Sequence, residues 1–251
     1  MRKAIPLALA VVAVLVLATT ALAFPVVDVT HAPRIPIKES TSRNWSGYGV
    51  ETNLSNPQSN VVTNVAGSWV VPNVTCTSQS TYSSAWVGID GYSDRTVEQI
   101  GTDQDCSGGS PRYYAWYEMY PKMPVNGILA INAGDSISAG VQYTGGGKYV
   151  LTLVNNTSGK SFSTTQYMPN AQRSSAEWIM EAPWSGSILT LANFGTINFS
   201  GASATINGHT GSISDSQWQN DPITMVNGLA TATPSKLKNG GSAFSVKWAS
   251  K

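Results

Sequence analysis

The chain has 251 residues, of which 12% are charged, and its 15 basic and 14 acidic side chains leave a formal net charge of +1. It contains no basic cluster able to neutralise phosphates, which excludes nucleic acid as a partner. Two histidines (His31, His209) and two cysteines are too few for a zinc site, and neither a P-loop nor a GxGxxG strand–helix signature is present, so no metal or cofactor is expected.

Along the chain, Arg2 and Lys3 precede an apolar run over 4–17. Ala21-Leu22-Ala23 then forms a small-residue cleavage site before Phe24. Residues 1–23 are expected to be a secretory signal peptide, making the product secreted. Since no later segment is long and apolar enough to span a bilayer, no membrane partner is expected after cleavage. The remaining 228 residues suit one domain, expected to be a monomer. Residues 24–43 carry Pro25, Pro33 and Pro36 without a sustained period and read as a short propeptide or N-terminal arm, not a core element. From Asn44 onward, 12 acids and 10 bases leave a net charge of −2.

Residues 44–251 read as one β-domain. Short alternating stretches at 61–71, 85–90, 136–143, 149–154, 187–194 and 243–248 are divided by Gly, Asn, Ser and Pro, and no amphipathic helix stands out. Many short strands with frequent turns predict an all-β, antiparallel sandwich or barrel. Cys76 and Cys106 can close one disulfide around the 86–99 region in an exported protein, adding about 3 kcal/mol.

Two strand-like segments concentrate acids and aromatics. Side chains alternate faces along a strand. Over 113–121, Tyr114, Trp116, Glu118 and Tyr120 therefore share one face, with Tyr113, Ala115, Tyr117 and Met119 on the other. Over 176–181, Glu177, Ile179 and Glu181 oppose Trp178 and Met180. Carboxylates set among tryptophans suggest a binding cleft.

The chemistry open to such a cleft is narrow. A Ser-His-Asp triad needs a histidine base; His31 lies in a segment expected to be removed, and His209 sits in the turn Asn207-Gly208-His209-Thr210-Gly211, where an ordinary surface role is expected. What remains is a carboxylate as general base on water and an amide as oxyanion donor. Glu177 and Gln99 are the natural holders of these roles, with Val97 and Gln99 facing opposite to Glu98 and Ile100. A lone Gln or Glu on a strand is, by itself, ordinarily solvent-facing or backbone-bonded.

The company of these residues resembles the glutamic peptidases of the G1 type, the eqolisins. The resemblance runs through Asn44-Trp45-Ser46-Gly47-Tyr48, Ser84 to Gly91, Glu98-Gln99-Ile100-Gly101, Tyr114 to Pro121, Ala133-Gly134-Asp135-Ser136, Ala176 to Glu181 and Ala192-Asn193-Phe194-Gly195. It implies a concanavalin A-like, lectin- or glucanase-like jelly roll of two antiparallel sheets, with a cleft on one of them. It also implies a pepstatin-insensitive acid endopeptidase acting on polypeptide substrates. Gln99 and Glu177 map onto the family's catalytic dyad. Trp45, Trp86, Asp90, Trp116, Glu118 and Tyr120 match positions around its cleft, the tryptophans as substrate walls and Asp90 and Glu118 as supporting carboxylates. Core packing for the aromatics and a turn role for Asp90 are the alternatives. Tyr114 departs from the acid that fungal members carry there, which points to a less acidic working range. Two other functions compete: a β-sandwich glycoside hydrolase using Glu177 and Glu181, and a noncatalytic lectin-like binding module. Retaining hydrolysis needs carboxyl groups about 5–5.5 Å apart, whereas i, i+4 on a strand gives roughly 13 Å.

Overall fold

The computed structural model describes residues 28–250. Their strands are β1 (Pro36–Lys38), β2 (Thr41–Ser42), β3 (Trp45–Glu51), β4 (Val62–Val70), β5 (Ser84–Ile89), β6 (Val97–Ser107), β7 (Ser110–Tyr120), β8 (Val125–Asn126) and β9 (Ser136–Gly145). After these come β10 (Lys148–Asn155), β11 (Lys160–Tyr167), β12 (Ser175–Glu181), β13 (Thr196–Ile206), β14 (His209–Gly211), β15 (Gln219–Asn227), β16 (Ala230–Pro234) and β17 (Phe244–Ser250). Among the described residues the one helical element is a single 3-10 turn, Asn239–Gly241.

Two sheets result. One has the order β15-β3-β12-β5-β6-β7-β8, antiparallel throughout. The other runs β11-β10-β9-β4-β13-β17-β16-β15. Strand β15 serves both, pairing with β3 over its first half and with β16 over its second, so it forms a corner between the layers. The fold is thus the antiparallel β-sandwich that the strand pattern and the resemblance implied.

Alternation sorts the side chains. Tyr48, Val87, Ile89, Ile100, Ala115, Met119, Trp178 and Met180 turn inward. They meet Val65, Trp69, Ile137, Val141, Leu151 and Phe199 of the second sheet in the main core. Their neighbours Trp45, Trp86, Val97, Trp116, Ile179 and Ile223 form a smaller cluster on the outer face of the first sheet. An outer face would ordinarily be polar. This one carries a buried apolar cluster.

Two sequence expectations need adjustment. The stretch 187–194 is no strand: Leu191 and Asn193 each make one isolated bridge, to Tyr82 and Thr75, and the Leu191 amide is capped by Asn227. Leu191, Ala192 and Phe194 are buried, but the partners lie on separate loops and no ladder can propagate. The arm, in turn, is built into the domain over its described part. Strand β1 pairs with β2, β2 runs parallel to β15, and Val29, His31 and Ala32 are buried. The signal segment 1–23 lies outside the described residues.

Cys76 and Cys106 are joined by a disulfide, spanning a separation of 30 residues. Closing a loop of that length should contribute about 3.5 kcal/mol. The Cys76→Ala, Cys106→Ala double variant is expected to unfold at lower urea by a corresponding margin, read from the equilibrium midpoint.

Candidate active site

The register of the first sheet sets one row of residues side by side: Asp221 (β15), Gly49 (β3), Glu177 (β12), Gly88 (β5), Gln99 (β6) and Glu118 (β7). Directly opposed residues share a face, so Glu177, Gln99 and Glu118 all point outward. Gly88 is the gap between the Glu177 carboxyl and the Gln99 amide. With strands about 4.8 Å apart, Glu177 and Gln99 stand roughly 10 Å apart at Cα and their side chains can converge over the glycine. A Cβ on Gly88 would lie 3.1 Å from the Gln99 Cβ and 2.9 Å from the Trp86 ring. Gly88→Ala should therefore displace Gln99 and lower peptide turnover by roughly 10–100-fold, with only a small change in Tm. Steady-state kinetics beside a melting curve check this.

Two residues along lies a second row, Ile223, Gly47, Ile179, Trp86, Gly101 and Trp116. Gly101 has no side chain, and a Cβ there would come within 3.0 Å of the Trp116 ring. The indole therefore lies across β6 as a floor. A third row holds Trp45, Glu181, Ser84, Asp103 and Tyr114. These rows are tied by buried hydrogen bonds. Trp86 Nε1 donates to Glu181 (2.8 Å), Trp116 Nε1 donates to Ser84 Oγ (3.1 Å), and the Tyr114 hydroxyl lies 2.7 Å from Asp103 and 3.0 Å from Asp105.

The arm covers this face. Its backbone bridges to Trp184 at Thr30, with both hydrogen bonds at 2.8 Å. The His31 amide donates to Glu118 Oε2 (2.8 Å), and the Gln99 amide nitrogen donates to the His31 carbonyl at 2.6 Å. Trp45 Nε1 and Asn44 Nδ2 donate to the Ala32 carbonyl at 3.0 and 3.2 Å. The His31 ring stacks on Trp116 with centroids 3.4 Å apart and planes 1° from parallel. Its Nδ1 lies 3.0 Å from Glu118 Oε2 and its Nε2 lies 3.2 Å from Asp103 Oδ1.

Electrostatics follow from burial. Desolvation would lower the His31 pKa, but Asp103 and Glu118 outweigh it and hold the imidazolium up to about 10. Burial pushes the Glu177 carboxyl well up from its ordinary value; Ser175 beside it opposes that slightly, and Asp90, Asp94 and Glu51 add to it. Among the described residues neither Glu177 oxygen has a hydrogen-bond partner. Burial likewise raises Glu118, with the His31 hydrogen bond and charge pulling back, and raises Glu181 well up, with the His31 charge opposing.

Of the residues marked by sequence, Gln99, Glu177, Glu118, Trp45, Trp86 and Trp116 come together on this face, and Tyr120 packs against the same cluster. Asp90 does not join them. At φ 72°, it turns its carboxylate to the backbone amides of Arg173 (2.6 Å) and Ser174 (2.7 Å), and so anchors the entry to β12. Glu177 and Glu181 sit in unbroken register on β12, so no bulge shortens their separation to the retaining-glycosidase distance. His31 and Asp103 join this face as well. Asp103 was findable, since it shares its strand face with Gln99. His31 lies in the proline-punctuated arm, where no strand period marks a face.

A model of the Peptidase A4 family matches residues 43–248. Aspergillopepsin-2 of Aspergillus niger is 38% identical over 140 residues, or 53% of this chain and 49% of that protein, so the match spans about half of that relative's length. Scytalidopepsin B of Scytalidium lignicola is 32% identical over 203 residues, 73% of this chain and 72% of that protein. A scytalido-glutamic peptidase bound to a peptide-based transition-state analogue superimposes with a TM-score of 0.66 at 27% identity, covering 82% of this chain and 98% of that one. Aspergilloglutamic peptidase from Aspergillus niger gives 0.59 at 31% identity, covering 67% and 99%. The chain belongs to the Peptidase A4 family, and its sandwich is the fold of the glutamic peptidases, or eqolisins.

Proposed function

We propose that this protein is a secreted glutamic endopeptidase that hydrolyses polypeptides in acid, with Glu177 as general base and Gln99 as oxyanion donor. The observation that carries this reading is the 2.6 Å hydrogen bond from the Gln99 amide to a backbone peptide carbonyl, with Glu177 on the same face across Gly88. Ionised Glu177 takes a proton from water as the water oxygen attacks the peptide carbonyl carbon. The amide N–H of Gln99 stabilises the oxyanion that develops. Protonated Glu177 then returns the proton to the leaving amine, and no acyl-enzyme forms.

Acid operation follows from the residue types. A carboxylate in contact with water ionises near pH 4.3, whereas a histidine base would already be protonated there. Gln99 does not titrate. Beneath the arm, burial raises the Glu177 carboxyl well above its ordinary range, and His31 occupies the face beside Gln99 and Trp116, a geometry that fits a latent form relieved when the arm is displaced.

The test is hydrolysis of denatured casein by the purified secreted protein from pH 2 to 7, before and after incubation in acid. Activity confined to acid and increased by the incubation is expected. Absence of hydrolysis at every pH would discard the peptidase reading.

A further inference from the structure

We propose that Glu51 is the proton-holding partner of Glu177, with the Ser175 hydroxyl bridging the two carboxyls, so that the pair works with one proton and one charge between them. Glu51 and Ser175 are thus positioning residues for the base. The proposal rests on the glutamic-peptidase reading and adds what bounds the pH range in which the base works.

The row beside Glu177, on the side away from Ile179, holds Gln219 (β15), Glu51 (β3) and Ser175 (β12). Ser175 stands directly opposite Glu51 and two residues before Glu177, so all three side chains share the outer face. Directly opposed Cβ atoms lie about 5 Å apart and diagonal ones about 7–8 Å. The hydroxyl is therefore set between two carboxyls whose long side chains can reach it. Gly49, opposite Glu177, adds no side chain to the gap, and a Cβ there would lie 2.7 Å from the Tyr92 ring. Glu51, Ser175 and Glu177 are each fully buried. Among the described residues, Glu51 Oε2, Ser175 Oγ and both Glu177 oxygens have no hydrogen-bond partner. Such orphaned atoms, gathered on three adjoining residues, are costly unless they satisfy one another.

One proton suits this arrangement better than none. With both carboxyls ionised, like charges meet across a hydroxyl that has a single hydrogen to give. With Glu51 protonated, its O–H donates to Ser175 and the Ser175 O–H donates to Glu177, leaving the charge on the base. The groups facing Glu51 are Tyr92, Ser93 and Asp94 of the β5–β6 loop, Arg34 of the arm, Gln219 of β15, and Ser175 and Glu177 of β12. Ser93 Oγ donates to Glu51 Oε1 at 2.5 Å, which leaves Oε2 for the proton. Burial holds Glu51 up to about 7; Ser93 and Arg34 oppose this and Asp94 adds to it. At Glu177 burial dominates, Ser175 favours the charged form, and Asp90, Asp94 and Glu51 disfavour it. Water reaching Glu177 relieves its burial, whereas Glu51 stays beneath the β5–β6 loop, so the shared proton rests on Glu51. Turnover therefore rises with pH as the pair gives up its first proton. It falls when Glu51 gives up the second and draws the Ser175 hydroxyl away from the base.

The experiment is the pH profile of kcat/KM from pH 2 to 8 on a capped peptide without ionisable side chains. Acid-incubated protein is used, with tryptophan fluorescence confirming the fold at each pH. Wild type should give a bell. Glu51→Gln keeps a neutral donor at every pH, so the upper limb should move up by at least about one pH unit while the lower limb stays. Ser175→Ala removes the donor to Glu177, so the lower limb should move up and kcat/KM below it should fall by up to roughly tenfold, the worth of one hydrogen bond. Ser175→Thr should restore it. Ser93 is exposed, and Ser93→Ala takes a donor from Glu51, so it should move the upper limb upward without disturbing the buried row. A merely structural defect would lower the whole curve and move neither limb selectively. An upper limb unmoved in Glu51→Gln or Ser93→Ala, or a lower limb unmoved in Ser175→Ala, would overturn the inference and leave the peptidase reading standing. No hydrolysis by wild type at any pH would overturn both.

Discussion

Replacing Glu177 with Gln is expected to lower kcat on peptide substrates by about 10³-fold, within the range that a positioned general base contributes. The substitution keeps the shape and removes the proton acceptor. The fold should not suffer. Glu177 is fully buried, none of the described residues hydrogen-bonds its oxygens, and burial already favours its neutral form. A neutral amide in the same place carries no buried charge to desolvate, so Tm at pH 7 should hold or rise. That combination separates a chemical role from a structural one. Gln99→Ala should cost roughly 10²–10³-fold, as loss of one oxyanion donor does, and it also frees the His31 carbonyl. In the proposed mechanism the two groups act on one transition state, so the double variant should be scarcely slower than the worse single one. Activity surviving Glu177→Gln would remove the dyad.

The second large effect is an inverted dependence of stability on pH. Most proteins lose stability in acid because native carboxylates are paired and charged. Here the buried carboxyls go the other way. Burial raises Glu51 to about 7, opposed by Ser93, and raises Asp90 to about 7, helped by Asp94 and opposed by the Arg173 and Ser174 amides. Glu98, Asp105, Glu177 and Glu181 are pushed well up by the same cause. A carboxyl raised in the folded state binds more protons there than in the unfolded chain over the interval between its two pKa values. Its contribution is therefore present near pH 4 and is lost as pH climbs toward 7. His31 adds to the trend. Its folded value of about 10 exceeds the ordinary 6.5, so its contribution is whole below pH 6.5 and declines toward pH 10. Each pKa unit corresponds to about 1.4 kcal/mol before screening. Over several groups, Tm at pH 4 should exceed Tm at pH 8 by on the order of 10 °C. Scanning calorimetry between those values measures it, and a higher Tm at pH 8 would contradict the burial argument.

Much of this was legible without coordinates. The two-residue period assigned Tyr114, Trp116, Glu118 and Tyr120 to one face and Ala115 and Met119 to the other, and the sheet places them so. Strand alternation is a local property of the backbone, which is why one sequence suffices to read it. The scarcity of histidine and the lack of metal ligands narrowed the chemistry to carboxylate and amide for equally local reasons.

Other features depended on strand register. Glu177, Gln99 and Glu118 lie far apart in the chain, and only the pairing of four strands sets them in one row with Gly88 as the gap. Asp90 shares a motif with Trp86 but turns away, because a positive φ aims its carboxylate at the β12 entry. The stretch 187–194 has the apolar residues of a strand but no single neighbour to pair with. His31 shows the same limit most clearly. Nothing in the proline-punctuated arm signals a partner, since the stacking on Trp116 and the contacts with Asp103 and Glu118 join residues 72 to 87 positions away in sequence. Side-chain type and alternation determined which groups could do chemistry. Long-range pairing alone decided which of them meet, because contact across a sheet is fixed by register and not by distance along the chain.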